Sequence, residues 1–401
     1  MKNKLYITVL LTVFTLLPNY IYSQKRLYTV CEVLEMVQKN NKEIQSAGYE
    51  YHKNNVEQKM SNNMDNPEVE YSNLWSKKSA GGEQVKEFAV SQSFDFPTKY
   101  ASRSAINKKV YSLNKATLRQ KTIEVLLKAK EICLDMILLQ KQKQLLEERM
   151  ANANELRKMY EMKLKLGDAS IIDLNKIKLE QLNVKTEQEL NSLEISKLNA
   201  ELKQINGGEE IVFEATTYDT MERCPTYEQL KNRLTERSST LQVAQLENTV
   251  AARNKQFASQ WWLPKISLGY RMNNEAGVMF RGLTVGVSIP IFEEKGKRKA
   301  AKLNHMIAQE NLNNTRNEVY AELTKDYEEV ERVEKLMKEY LQSMDYRENI
   351  SLLYKAVNGG EISMIEYFSE LSQLYDAMNN YNELENRRQK AMARLLKNEL
   401  F

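Results

Sequence analysis

Along the chain, apolar side chains switch from a helical period to a strand period and back, and they do so twice in the same order. Residues 28–62 and 226–260 read as polar helices, 99–166 and 297–358 as very long helices, and 168–205 and 361–398 as helices again. In the first long stretch Leu118, Val125, Ile132, Leu139, Leu146, Ala153 and Tyr160 recur every seven residues, with Thr122, Ala129, Met136 and Met150 between them. In the second, Val319, Leu323, Val330, Val333, Met337, Tyr340 and Met344 keep the same steps of three and four. Such a seam belongs to helices that pack side by side in coiled-coil fashion. Lys141 lies off it and reads as an exposed neighbour. At 1.5 Å per residue, the first long helix extends about 100 Å. The two shorter helices of each half together match the long one in length, so they could stack end to end beside it.

Between the first and second helices of each half the period is two. Phe88, Val90, Phe94 and Phe96 share one face, with Ala89, Ser91, Ser93 and Asp95 on the other. Ile266, Leu268, Tyr270 and Met272 oppose Lys265, Ser267, Gly269 and Arg271, and Leu283, Val285, Val287, Ile289 and Ile291 oppose Thr284, Gly286, Ser288 and Pro290. The stretch 68–76 alternates more weakly, Val69, Tyr71 and Trp75 against Glu68, Glu70 and Ser72. Four strands are therefore predicted near 68–76, 88–96, 265–273 and 283–291, each close to the ~9 to 11 residues that cross a bilayer at a tilt. A soluble sheet packed on helices is the commoner use of such patterns, but these helices are polar and offer little apolar surface. Lipid can cover the face instead. In hydrocarbon an open sheet edge costs several kcal/mol per unpaired backbone group, so the strands must close with copies from other chains.

The two halves are copies of one unit. Pro67 and Pro264 stand 197 positions apart in similar stretches, Val90-Ser91 and Val287-Ser288 repeat that offset, and Gly167–Asp173 reappears as Gly360–Glu366 at 193. We read residues 24–206 as the first repeat, 207–225 as a linker and 226–401 as the second repeat. Residues 1–23 read as a signal peptide: Lys2 and Lys4, an apolar run from Leu5 to Leu17, and a polar close with cleavage after Ser23. The run is too short to span a membrane as a helix.

Composition changes this picture little. The 401 residues hold 13 Gly and 6 Pro, too few punctuators for many short elements. The net charge of +4 lacks the basic excess of a nucleic-acid binder. Cys31, Cys133 and Cys224 form no metal-ligand spacing and read as buried thiols. His52 and His305 lie alone on polar helices, and no phosphate-cradling Gly loop appears, so neither catalysis, cofactor nor metal is expected.

The Pro-strand stretches at Pro67 and Pro264, the strand exits SQSFDFPTK and VSIPIFEEKGKR, and the turns LGDASIIDL and NGGEISMIEY, in this order and duplicated, resemble the TolC family of outer-membrane efflux proteins. The resemblance implies a mainly α fold with a membrane β-barrel portion. It further implies that long coiled-coil helices form an α-barrel across the periplasm and that four strands per chain build a shared 12-stranded barrel in the outer membrane of a Gram-negative bacterium. It implies a homotrimer acting as the exit duct of a tripartite pump, joined through a periplasmic adaptor to an inner-membrane transporter of RND or ABC type. It places residues 207–225 at a mid-tunnel belt. Two other readings are a periplasmic adaptor, which would carry one hairpin rather than two matched posts, and a coiled-coil protein without a pore, which would not need the strands.

On this reading Phe94, Phe96, Leu268, Tyr270, Val285, Val287 and Ile289 face lipid. Trp261, Trp262 and Tyr100 mark either an aromatic girdle or buried junction packing. The resemblance places Gly167, Asp173, Lys176, Gly360, Glu366 and Glu370 at the periplasmic tip, where convergent carboxylates would form a cation-favouring ring, with Lys176 as a partner. Alternatively, Asp173 and Glu366 are ordinary first-turn acids favoured by the helix dipole.

Overall fold

The structure, a computed structural model, describes residues 28–75, 84–219, 223–275, 277–290, 296–343 and 346–400. The expected signal peptide, Ile291 and Met344 lie outside the described residues. Helices α1 (Val30–Asn40) and α2 (Lys42–Met60) lead to strands β1 (Glu68–Trp75) and β2 (Gln84–Phe94). Then come α3 (Pro97–Leu166) and α4 (Ile171–Ile205). The second repeat follows with α5 (Tyr227–Arg237), α6 (Ser239–Phe257), β3 (Lys265–Glu275), β4 (Val278–Ser288), α7 (Lys297–Ser343), α8 (Tyr346–Gly359) and α9 (Met364–Leu395).

Each opening helix is two helices, broken at Asn41 and Ser238, residues separated by the same interval as Pro67 and Pro264. The sequence period alone did not reveal these breaks. At the first, the Asn41 side chain accepts from the Ile44 N–H at 2.9 Å and donates to the Ile205 carbonyl at 2.7 Å. The short polar side chain thus caps one helix while satisfying the end of another. Gly207 closes this joint because a Cβ there would sit 2.3 Å from the Asn40 carbonyl oxygen. At the second, Ser238 caps α6, and Asn398, just beyond α9, accepts from the Ser239 N–H at 3.1 Å. The short helices therefore do meet end to end beside the long one, α2 against α4 and α6 against α9.

The seam on α3 is largely buried at Val125, Ala129, Ile132, Met136, Ala153 and Tyr160, while Leu118, Leu139 and Leu146 are half-buried. On α7 the same holds for Val319, Leu323, Val330, Val333 and Met337. Helix α3 packs along α2, α4, α6 and α9, so it is shared between the repeats. Where α1 crosses it, Val33 and Val37 join Leu126, Ala129, Cys133, Met136 and Ile137, and the irregular segment after Gly208 adds Ile211 and Phe213. Lys141 is not the exposed neighbour its register predicts. It pairs with Glu385 of α9 and its ammonium stands 4.8 Å from the Tyr218 ring centre, because α9 covers the flank of α3 that a two-helix register leaves open. The cysteines also differ from expectation: Cys133 is buried and Cys224 half-buried, but Cys31 is exposed.

The four strands form one antiparallel sheet in the order β1-β2-β3-β4, with the two repeats joined by the β2–β3 ladder. Val69 faces Val90, which faces Tyr270, which faces Leu283, and Leu268 faces Val285. Directly paired residues point to the same side, so all four apolar stripes coincide on one face. Phe96 is a correction. It lies past the end of β2 at the N-cap of α3, because Pro97 starts the helix where its missing N–H costs nothing. Ile289 also lies just beyond its strand.

Candidate functional site at the strand face and the helical tip

The apolar sheet face is bare. Leu283, Val285, Val287, Leu268 and Tyr270 are exposed, Leu283 to 87%, and Ile289 beyond the strand is exposed as well. Phe94 is half-buried against the sheet-to-helix junction. Over the rows nearer the helices the opposite face is polar and crowded, and toward the hairpin ends it carries Leu74, Val85, Val278 and Phe280. A Cβ on Gly269 would come within 2.7 Å of Thr284 Oγ1, and one on Gly286 within 2.3 Å of Ser267 Oγ. Glycine and serine are needed there because facing side chains approach closely, as they do on the inner side of a curved sheet. On that face Arg271 reaches Glu87 at 3.0 Å. The outer strands β1 and β4 each have one edge without a ladder partner among the described residues.

Where strands meet helices, the Asp95 N–H donates to the Tyr100 hydroxyl at 3.1 Å, and Arg103 holds the Asp95 carboxylate at 2.6 Å above the Tyr100 ring. Lys99, buried, donates to the Leu263 carbonyl at 2.9 Å. Trp261 packs edge-on against Phe257, with the Lys297 ammonium 5.4 Å from its ring centre. Tyr100 and Trp261 are thus junction residues, whereas Trp262 is exposed.

At the other end the two Gly turns lie side by side with one geometry. Gly167 has φ 84° and Gly360 φ 75°, left-handed values that glycine adopts without strain. In each, the residue after glycine donates to a carbonyl in the last helical turn: Asp168 to Lys163 and Glu361 to Ala356, both at 2.9 Å. Lys163 reaches across to the Asn358 carbonyl at 3.4 Å, linking the turns. Beneath them Leu156, Tyr160, Leu174 and Ile177 pack against Val357, Met364, Tyr367 and Leu371.

The predicted acids occupy equivalent third positions of their helices but do different things. Glu366 completes a capping box: its Oε2 accepts from the Ser363 N–H at 2.8 Å and its own N–H donates to Ser363 Oγ at 3.2 Å. The Ser363 backbone and side-chain hydrogen bonds hold its carboxyl below the usual range. Asp173, one methylene shorter, makes no such return bond and lies 3.9 Å from Lys176 Nζ. Burial and then the Asp173 charge raise the Tyr160 phenol above its ordinary range. Glu370 is exposed on the next turn. Sequence reasoning missed the apolar side chains at this tip: Leu166, Ile171, Ile172 and Ile365 are all exposed. The Ile-Ile pair directly after a Gly turn was the available signal. Among the described residues no helix is long and apolar enough to cross a membrane, and no group of three or more His, Cys, Asp and Glu could hold a metal ion.

A four-stranded sheet with a largely exposed apolar face, carried on paired helices of which α3 alone extends about 100 Å, has the architecture of TolC-like channels. Residues 230–397 match the family model described as outer membrane efflux protein. No curated protein matches the sequence. Among solved structures, a membrane protein from Pseudomonas aeruginosa superposes with TM-score 0.79 at 12% identity, covering 93% of this chain and 90% of its own. The CmeC outer membrane channel of Campylobacter jejuni gives 0.74 at 14%, covering 92% and 85%. The open-state MtrE outer membrane channel of Neisseria gonorrhoeae gives 0.70 at 13%, covering 92% and 88%. The second repeat is thus similar in sequence to the outer membrane efflux protein family, and the whole chain has the fold of TolC-like channels. The resemblance seen in the duplicated motifs is borne out.

Proposed function

We propose that the chain is one third of a homotrimeric exit duct in the outer membrane, open to the outside through a shared 12-stranded barrel and continued into the periplasm by its helices. The observation that carries this reading is the sheet: one face that is apolar and largely exposed over the rows nearest the helices, together with two edges unpaired among the described residues. In hydrocarbon those edges must pair, and with four strands per chain a second and third copy close the ring. Leu268, Tyr270, Val285, Val287 and Ile289 then face lipid, Phe94 lies at the inner rim, and the Gly- and Ser-rich face lines the bore. The linker at 207–225 forms the belt.

The tip formed by the two Gly turns is the gate. Three copies of Asp173 and Glu366 surround the axis, Asp173 restrained by Lys176. The exposed Leu166, Ile171, Ile172 and Ile365 receive a periplasmic adaptor, through which an inner-membrane pump of RND or ABC type delivers cargo. Mass measurement of detergent-purified protein with fractionation of the cell envelope tests the reading. A trimer in the outer-membrane fraction is expected. A soluble periplasmic monomer would overturn it.

A further inference from the structure

The ladder registers sort every charged strand residue by face. The four carboxylates, Glu68, Glu70, Glu87 and Glu275, all lie on the crowded inner face, together with Lys265 and Arg271. The apolar outer face carries only Lys86 and Arg281, both cations and both exposed. Neither has an ion-pair partner among the described residues. They are not scattered along the strands. The rows nearest the helices are Phe94–Ile266–Val287 and Gln92–Leu268–Val285, without charge, whereas Arg281 faces Met272 and Lys86 faces Asn73 and Asn274 toward the hairpin ends. Exposed Trp75 closes the same end on the same face.

We infer that Lys86 and Arg281 form a binding surface for the phosphate groups of the phosphorylated glycolipid in the outer leaflet. This inference rests on the channel reading, which places the helices on the periplasmic side and the hairpins outside. A cation on a lipid-facing strand costs about 2 to 4 kcal/mol at the bilayer midplane and little near the headgroups, so a pair confined to one rim matches a single leaflet. Side chains this long extend their charge toward the headgroups while their stems stay on the apolar band. The two positions are two strands and one row apart, about 12 Å, which suits two separate phosphates better than one. A guanidinium adds bidentate recognition of phosphate, and Trp75 an amphipathic ring at headgroup depth. The inner-leaflet end of the paired strands carries no cation on this face, so the outer glycolipid, rather than a phospholipid, is the occupant to which the arrangement commits.

The test uses the full-length trimer purified from the outer membrane, with Lys86→Gln and Arg281→Gln combined, and Arg271→Gln on the opposite face as control. Glycolipid phosphate carried through purification is quantified per trimer. Binding is then titrated with bisphosphorylated lipid A, dephosphorylated lipid A and phosphatidylglycerol vesicles. Each surface cation contributes about fivefold, so the double variant should bind bisphosphorylated lipid A about 30-fold more weakly, while Arg271→Gln stays at the wild-type value. Dephosphorylated lipid A should not distinguish the variants. Equal binding of bisphosphorylated lipid A by wild type and double variant would overturn the inference, as would a wild-type affinity for phosphatidylglycerol equal to that for lipid A. If the protein instead fails to assemble in the outer membrane even without substitutions, the channel reading itself is what fails.

Discussion

Arg394→Met probes how α9 is held against α7 within the second repeat and against α3 of the first. Arg394, on α9, is bonded to Asp326 and Glu329 of α7, each at 2.8 Å, and lies 3.5 Å from Glu131 of α3. Burial opposes its charge, but the Asp326 hydrogen bond and the three carboxylates outweigh that and hold the guanidinium above the ordinary arginine range. Its side chain is 29% exposed and that of Asp326 only 12%. Removing one partner from a buried ion pair typically costs about 3 to 5 kcal/mol. The partial exposure, and Arg387, which still holds Glu329 at 3.1 Å, reduce this to about 2 kcal/mol per chain. With the usual unfolding entropy per residue, the melting temperature followed by helical circular dichroism should fall by about 2 to 3 °C. Adding Asp326→Asn removes the most buried orphaned charge and should restore about half of the loss. Arg332→Met is the control, since that side chain is 78% exposed and paired only within its own helix, to Glu328. If Arg394→Met and Arg332→Met melted together, or if Asp326→Asn deepened the loss, the ionic joint would not stabilise the packing.

Three further outcomes follow from the geometry. Leu283→Lys places an ammonium at the middle of the proposed lipid face and should destabilise insertion by about 2 to 4 kcal/mol, whereas Ser288→Lys on the opposite face should be mild; equal yields of folded protein would refute the assignment of the faces. The Glu366 carboxyl is depressed in the folded chain, so its contribution to the α9 cap is complete above the ordinary value of about 4.3 and is lost as pH falls through the lower folded value; amide exchange at Ser363 should accelerate there, and Glu366→Gln should flatten that response. In bilayer recordings Asp173→Asn should lower cation selectivity more than Glu366→Gln, because only Glu366 is occupied in a cap, and unchanged selectivity in the double variant would remove both from the pore.

The sequence exposed most of this architecture because its strongest signals are periodic. The steps of three and four on α3 and the alternation at 266–272 and 283–287 are imposed by burial on one side, whether protein or lipid does the burying. What escaped were features decided by single polar side chains. Asn41 looks like an ordinary helix residue until the neighbouring helix end that it serves is in place, and at the matching break Ser238 caps its own helix while Ser239 meets Asn398. Lys141 looked free because a two-helix seam says nothing of a third helix, and Phe96 looked like a strand residue because alternation runs on past the point where Pro97 starts a helix. At the tip, Asp173 and Glu366 align as equivalent positions, yet one methylene decides which of them can bend back to its own backbone.

The ladder between β2 and β3 also bears on how such a chain can be made. Phe94 and Ile266 are neighbours in the sheet, but α3, α4, the irregular segment after Gly208, α5 and α6 all intervene between them in the chain. That pairing closes a long loop whose entropic cost is recovered only once the intervening helices have folded back on themselves. The hairpins β1–β2 and β3–β4 can form early and separately, each too small to be stable alone in water. The complete four-stranded sheet, with its apolar stripes side by side, therefore depends on the helical stalk having brought its halves together. The order of events imposed by the topology keeps the adhesive surface divided while the chain is still in transit.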